Sequence, residues 1–163
     1  MGKRKKLSEF VYTIYDSEAD LSIDDRQLKR EATEALELAH APYSEFKVGA
    51  ALQFNDGSII KGANQENVSY PVCLCAEGVV LAQASVMLPK KKIKSIAITT
   101  KHKYKPSDSP IAPCGLCRQS ILEYENRQNE PIRLLLISEL GEIYEINSVK
   151  DILPLQFDTT DLL

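Results

Sequence analysis

The apolar positions along this chain change period several times, and each change marks an element. Over residues 9–16, "EFVYTIYD", β-branched and aromatic side chains alternate with polar ones, which predicts a strand. Beyond it the spacing lengthens. Leu28, Ala32, Ala35, Leu36 and Ala39 recur at helical intervals on one face, with Ser22 or Asp24 as the cap and Pro42 as the stop. Two alternating runs follow, "FKVGAALQF" (46–54) and "SIIKGANQE" (58–66). Between them stands Asn55-Asp56-Gly57, a strong hairpin signal. "CAEGVVLAQASVM" (75–87) predicts an apolar helix closed by Pro89, and "IKSIAITT" (93–100) a buried strand. After the polar loop "KHKYKPSDSP", a helix over 114–127 begins directly after Pro113. "IRLLLISE" and "EIYEI" are two further strands around Leu140-Gly141, and "SVKDILP" is a short helix. Strands and helices alternate along most of the chain, so a layered α/β sandwich is the expected architecture.

Composition narrows the class. At 163 residues the chain has the length of a single domain, 1–163, with room for a genuine core. A net charge of −3 gives no general attraction to nucleic acid. The one basic cluster, Lys3, Arg4, Lys5 and Lys6, belongs to an expected flexible tail over 1–8, and 158–163 form an expected polar tail. The segment after the basic cluster carries acids and lacks a secretory apolar core, and position 6 is Lys, which excludes a myristoylation start. No run reaches the roughly 18 apolar residues of a membrane span. The expected compartment is the cytoplasm, where thiols stay reduced and clustered cysteines read as metal ligands or reactive groups.

Four cysteines form two close pairs, "CLC" at 73–75 and "CGLC" at 114–117. Cys114 and Cys117, three apart at a helix start, present both thiols to one side of the first turn, the spacing by which a helix offers two sulfurs to zinc. Cys75 opens the other helix, and the partial positive charge of both helix N-termini favours thiolate. Three thiolates then make an open catalytic zinc site with its remaining position left for water. The competing arrangement is a closed structural knot using Cys73 as well, although Cys-x-Cys is tighter than the usual ligand pair. A further alternative exchanges Cys73 for Cys75, which would set Glu77 four residues from its ligand. Glu77 favours the open site, because hydrolysis needs a group to carry the proton between water and leaving group. A ligand at a helix start, one spacer and Glu, followed later by Pro-Cys-x-x-Cys, is the pattern of the zinc nucleobase deaminases.

The chain also resembles the cytidine deaminases of small, one-domain type in segments away from the cysteines. "APYSEFKVGAAL" (41–52), "GANQENVSYP" (62–71), "LCAE" (74–77), "APCGLCRQ" (112–119) and "DILPLQF" (151–157) stand in that family's order. The resemblance implies a three-layer α/β/α sandwich with a central mixed sheet, to which the N-terminal strand is an addition. It also implies one zinc per subunit, a nucleoside substrate and a homotetramer. By position, Phe46 would stack on the pyrimidine, Asn64 and Glu66 would bond the ribose hydroxyls, and the backbone at Ala76 would contact the base. Glu77 would be the catalytic carboxyl, and the reaction the hydrolysis of cytidine or deoxycytidine to the uracil nucleoside and ammonia.

One position departs from the family pattern. Arg commonly follows the catalytic Glu, whereas this chain has Gly78. Three thiolates leave a zinc site with net negative charge, which a guanidinium would offset. Arg118, four residues after Cys114 and one after Cys117, is the candidate for that role. Blasticidin S deaminase, of similar fold, also lacks the Arg, which raises a modified cytosine nucleoside as an alternative substrate. A catalytically silent zinc protein is the other alternative.

Overall fold

The computed structural model describes residues 4–5 and 9–158. Most of the expected basic tail, and of the polar tail after Asp158, therefore lies outside the described residues. Six strands form one mixed sheet: β1 (Thr13–Tyr15), β2 (Phe46–Phe54), β3 (Ile59–Ala63), β4 (Ile93–His102), β5 (Arg133–Ile137) and β6 (Ile143–Ile146). Their spatial order is β1-β6-β5-β4-β2-β3. β4 and β5 run parallel, and every other neighbouring pair is antiparallel. Three helices cover the sheet: α1 (Ile23–Ala35), α2 (Ala76–Met87) and α3 (Gly115–Gln128).

Side-chain alternation sorts the strands into two cores. Ala51, Ala97, Leu135, Ile137 and Ile143 point to one face, where Leu28 and Ala32 of α1 meet them. Ala50, Leu52, Ile96, Ile98, Leu134 and Leu136 point to the other, against Val80 and Leu81 of α2 and Ile121 and Leu122 of α3. The result is the expected three-layer α/β/α sandwich. α1 approaches β2 closely enough that a Cβ at Gly49 would stand 2.2 Å from the Ala32 carbonyl oxygen. Ser22 caps α1 by accepting from the Asp25 amide at 3.1 Å. In the hairpin between β2 and β3, Gly57 takes φ +85°, a left-handed conformation that suits glycine.

Three predicted elements are shorter than their patterns. Only Thr13–Tyr15 of 9–16 pairs in the sheet, through β6. The C-terminal helix is a single 3-10 turn, Val149–Ile152, capped by Ser148. β3 ends at Ala63, so Asn64 and Glu66 lie just beyond the strand rather than on it. Asn64 itself accounts for that end. Its backbone N–H still donates to the Val48 carbonyl at 3.1 Å. Its Oδ1, however, accepts from the Val48 amide at 2.8 Å and its Nδ2 donates to the Phe46 carbonyl at 2.9 Å, so the side chain takes over the other half of that rung.

Candidate active site

Two helix starts converge beyond one end of the sheet. Cys75 and Cys114 are the N-cap residues of α2 and α3, and neither side chain caps its own helix. An N-cap Ser or Asp spends its oxygen on a first-turn amide. Here the sulfurs are free of that duty while the positive ends of two helix dipoles still face them. Cys117 follows in the first turn of α3. The sulfurs of Cys75, Cys114 and Cys117 all lie within 4.8 Å of one another, close enough to hold one metal ion, and Cys114 donates to Cys117 at 3.5 Å.

The charge state of this trio is informative. A hydrogen bond from Cys117 holds the Cys75 thiol down at about 6, and the same bond, with burial, pushes Cys117 up. Three thiolates this close together repel unless a cation lies between them. Three soft sulfurs at helix N-termini suit zinc as a donor set. Cys73 stands apart. Its sulfur accepts from the Asn67 amide at 3.2 Å and donates to the Asn67 carbonyl at 3.6 Å, bracing the loop before α2.

Glu77, the second residue of α2, is buried at 4% exposure. Burial raises its pKa, partly opposed by its own backbone amide and by Cys117. A carboxyl that holds its proton more tightly than usual is suited to exchanging protons near neutral pH. Glu77 lines a cleft of about 330 Å³ together with Cys75 and Cys114. Phe46, Asn64 and Glu66 line the same cleft, so the structure brings the expected nucleoside contacts together with the sulfurs. Ala76 is fully buried in the first turn of α2, between Cys75 and Glu77.

Glu66 is gripped by the loop before β2. Its carboxylate accepts from the Tyr43 amide at 2.9 Å, the Ser44 amide at 3.3 Å and the Ser44 hydroxyl. The Ser44 hydroxyl is the main reason that its pKa is lowered, with burial opposing and the two amides adding to the effect. Arg118 donates from Nε to the Pro113 carbonyl and from a terminal nitrogen to the Ile152 carbonyl, both at 2.8 Å. Neither bond reaches a sulfur, so the guanidinium does not meet the thiolates in the way the helical spacing suggested. A Cβ at Gly78 would meet nothing within 4 Å, so the space beside it is open.

The rest of the cleft was not singled out from the sequence. Val48, Ile98 and Thr100, from neighbouring strands, and Ile111 and Ala112, from the loop before Cys114, line it as well, and Gln65, Cys73 and Leu74, from the segment before α2, complete it. The signal for the strand residues was present in the two-residue period: Val48 is two from Phe46, and Thr100 is its partner across the ladder. Which face carried a cleft depended on where α2 and α3 pack.

Comparison with known proteins agrees with this geometry. Residues 22–129 match the family model for the cytidine and deoxycytidylate deaminase zinc-binding region. The chain is 38% identical to a cytidine deaminase of Halalkalibacterium halodurans over 140 residues, 86% of this chain and 98% of that one. It is 36% identical to the Sporosarcina psychrophila cytidine deaminase over 86% of this chain and 96% of the relative. Among solved structures, the cytidine deaminase from Burkholderia pseudomallei superposes with a TM-score of 0.69 at 37% identity, covering 80% of this chain and 97% of that one. The cytidine deaminase from Mycobacterium tuberculosis gives 0.64 at 33% identity, covering 84% and 99%. The family match runs through the cysteine trio and Glu77, and the chain belongs to the cytidine and deoxycytidylate deaminase family.

Proposed function

We propose that this protein hydrolyses the 4-amino group of cytidine or deoxycytidine, releasing ammonia and the uracil nucleoside, with one zinc per subunit. The observation that carries the reading is the placement of a three-sulfur donor set, a buried carboxyl and an aromatic ring around one cleft. Cys75, Cys114 and Cys117 would hold the ion, which when bound supplies the Lewis acidity that makes water nucleophilic near neutral pH.

The remaining work falls to the protein's own groups. Phe46 offers a ring face to the flat pyrimidine. The backbone at Ala76 contacts the base edge, and Asn64 and Glu66 take the ribose hydroxyls. Three protein donors already reach the Glu66 carboxylate, which can accept about four, so it arrives oriented with capacity for a hydroxyl. Glu77 takes a proton from the attacking water, delivers it to N3, and passes a proton to the departing amine. Its burial fits a group that must be an acid and a base in turn. Arg118 anchors the segment before Cys114 through the Pro113 carbonyl, and its charge offsets the thiolates through space rather than by direct bonds. On this account Arg118→Gln moves the acid limb of the pH–rate profile upward, and an overlaid curve would remove Arg118 from the role.

The reaction serves pyrimidine salvage in the cytoplasm, as a homotetramer acting on small nucleosides. Support for assembly comes from Val68, Tyr70, Val72 and Leu74, which stand exposed in the segment that runs up to the cleft. The net charge of −3 and the small cleft weigh against nucleic acid as substrate. Among the described residues no helix is long and apolar enough to cross a membrane. The open space at Gly78 favours a second reading, a modified nucleoside such as blasticidin S, whereas Asn64 and Glu66 in the cleft favour an ordinary ribose. Incubating the zinc-loaded protein with each compound separates the two. Conversion of cytidine to uridine is the expected result, and conversion of blasticidin S alone would overturn it.

A further inference from the structure

Three buried side-chain oxygens among the described residues have no hydrogen-bond partner, one each from Glu45, Thr100 and Ser107. Glu45 is ion-paired with Lys103 at 2.8 Å, and Ser107 lies outside the cleft. Thr100 is different: it is 3% exposed and lines the cleft. On β4 it stands two residues from Ile98, and across the ladder it faces Val48, which is two from Phe46. All four residues line the cleft, so the Thr100 hydroxyl is the one polar side-chain group on an otherwise apolar stretch of floor.

A buried hydroxyl without a partner is unfavourable, and native folds rarely keep one for nothing. Threonine carries its hydroxyl and methyl on the same carbon, and a turn about χ1 exchanges them. The hydroxyl of a cleft-lining threonine is therefore free to re-aim without any movement of the backbone. Neither Asn64 nor any other group of the described residues bonds that hydroxyl, although Asn64, Gln65, Glu66 and Glu77 share the cleft with it. What remains to meet the hydroxyl is the occupant of the cleft.

We infer that Thr100 is a specificity-determining contact whose hydroxyl bonds a polar atom of the nucleoside bound between Phe46 and the sulfur end of the cleft. The inference rests on the proposed nucleoside deamination and adds a residue to it. A site built to bond a polar group discriminates strongly when one partner is missing. Thr100→Val keeps the shape and removes only the hydroxyl, while Thr100→Ser keeps the hydroxyl.

The test uses zinc-loaded wild type and both variants, with steady-state kinetics on cytidine and thermal melting without ligand. Thr100→Val is expected to raise KM about tenfold with kcat within about twofold, the loss of roughly one hydrogen bond. Thr100→Ser is expected to stay within about threefold of the wild-type KM, and free Thr100→Val to melt no lower than wild type. A Val variant with wild-type KM overturns the contact. So does a Val variant that melts several degrees lower, because the hydroxyl would then have a partner inside the fold. A wild type that leaves cytidine untouched overturns the functional reading instead, and with it a contact to this nucleoside.

Discussion

At Cys75 the loop becomes helix, and the sulfur is available because no first-turn amide claims it. Cys73, two residues earlier, spends its sulfur on both backbone groups of Asn67. The two residues should therefore respond differently to substitution. Cys73→Ser is expected to retain about one zinc per chain after dialysis, whereas Cys75→Ser loses most of it. Elemental analysis of the dialysed proteins decides the matter, and equal retention by both variants would contradict the assignment. Gly78 offers a second residue-scale test. The space beside it is open, so Gly78→Arg should fold with little change in melting temperature. Its added charge should move the acid limb of the pH–rate profile to lower pH. Glu77 gives a third. Burial raises its pKa, so the metal-free fold binds more protons than the unfolded chain above the ordinary carboxylate range. Stability from this group is full below that range and is lost as pH rises. Melting curves of the metal-free protein should show Glu77→Gln gaining on wild type as pH rises above the ordinary carboxylate range.

Among the elements, the close seat of α1 on β2 is the most sensitive to substitution. Gly49→Ala would drive a methyl into the Ala32 carbonyl, a backbone atom that cannot swing aside. A loss of about 3 kcal/mol, or failure to fold, is the expected result in chemical denaturation. The elements that pack by alternation were legible in the sequence, because period-two runs such as 46–54 and the helical faces of α1 to α3 report burial directly. Elements whose ends are set by side-chain bonds were not. β3 stops because Asn64 offers its amide to Val48 and Phe46, and a sequence pattern cannot distinguish that use of Asn from a solvated one. β1 is short because only three residues reach β6, even though Phe10 and Tyr12 continue the aromatic pattern and stack on one another. The pairs at 73–75 and 114–117 marked the candidate metal site in the sequence, since sulfur spacing at two helix starts carries its own geometry. The place of Glu77 already favoured Cys75 over Cys73, whereas Thr100 and the grip of Ser44 on Glu66 emerged only with the fold.

For the whole molecule, the exposed apolar segment is the feature an isolated chain explains least well. Val68, Tyr70, Val72 and Leu74 leave large side chains open to water just before the helix that carries Cys75 and Glu77. Burial in an assembly would resolve this and would place subunit contacts near each cleft. Sedimentation equilibrium should then return four times the mass of one chain, and Tyr70→Asp should shift the distribution toward smaller species. A monomer at micromolar concentration would remove the assembly from the account. The central claim is narrower and concerns chemistry: three sulfurs keep a metal open while Glu77 moves the protons. Its most direct test is ammonia release from cytidine by zinc-loaded wild type and zinc-loaded Glu77→Gln, side by side. The account predicts robust release by the first and loss of about a thousandfold or more by the second, with zinc content and melting behaviour retained. Comparable release by a zinc-loaded Gln variant, or none by a folded, zinc-loaded wild type, would contradict it.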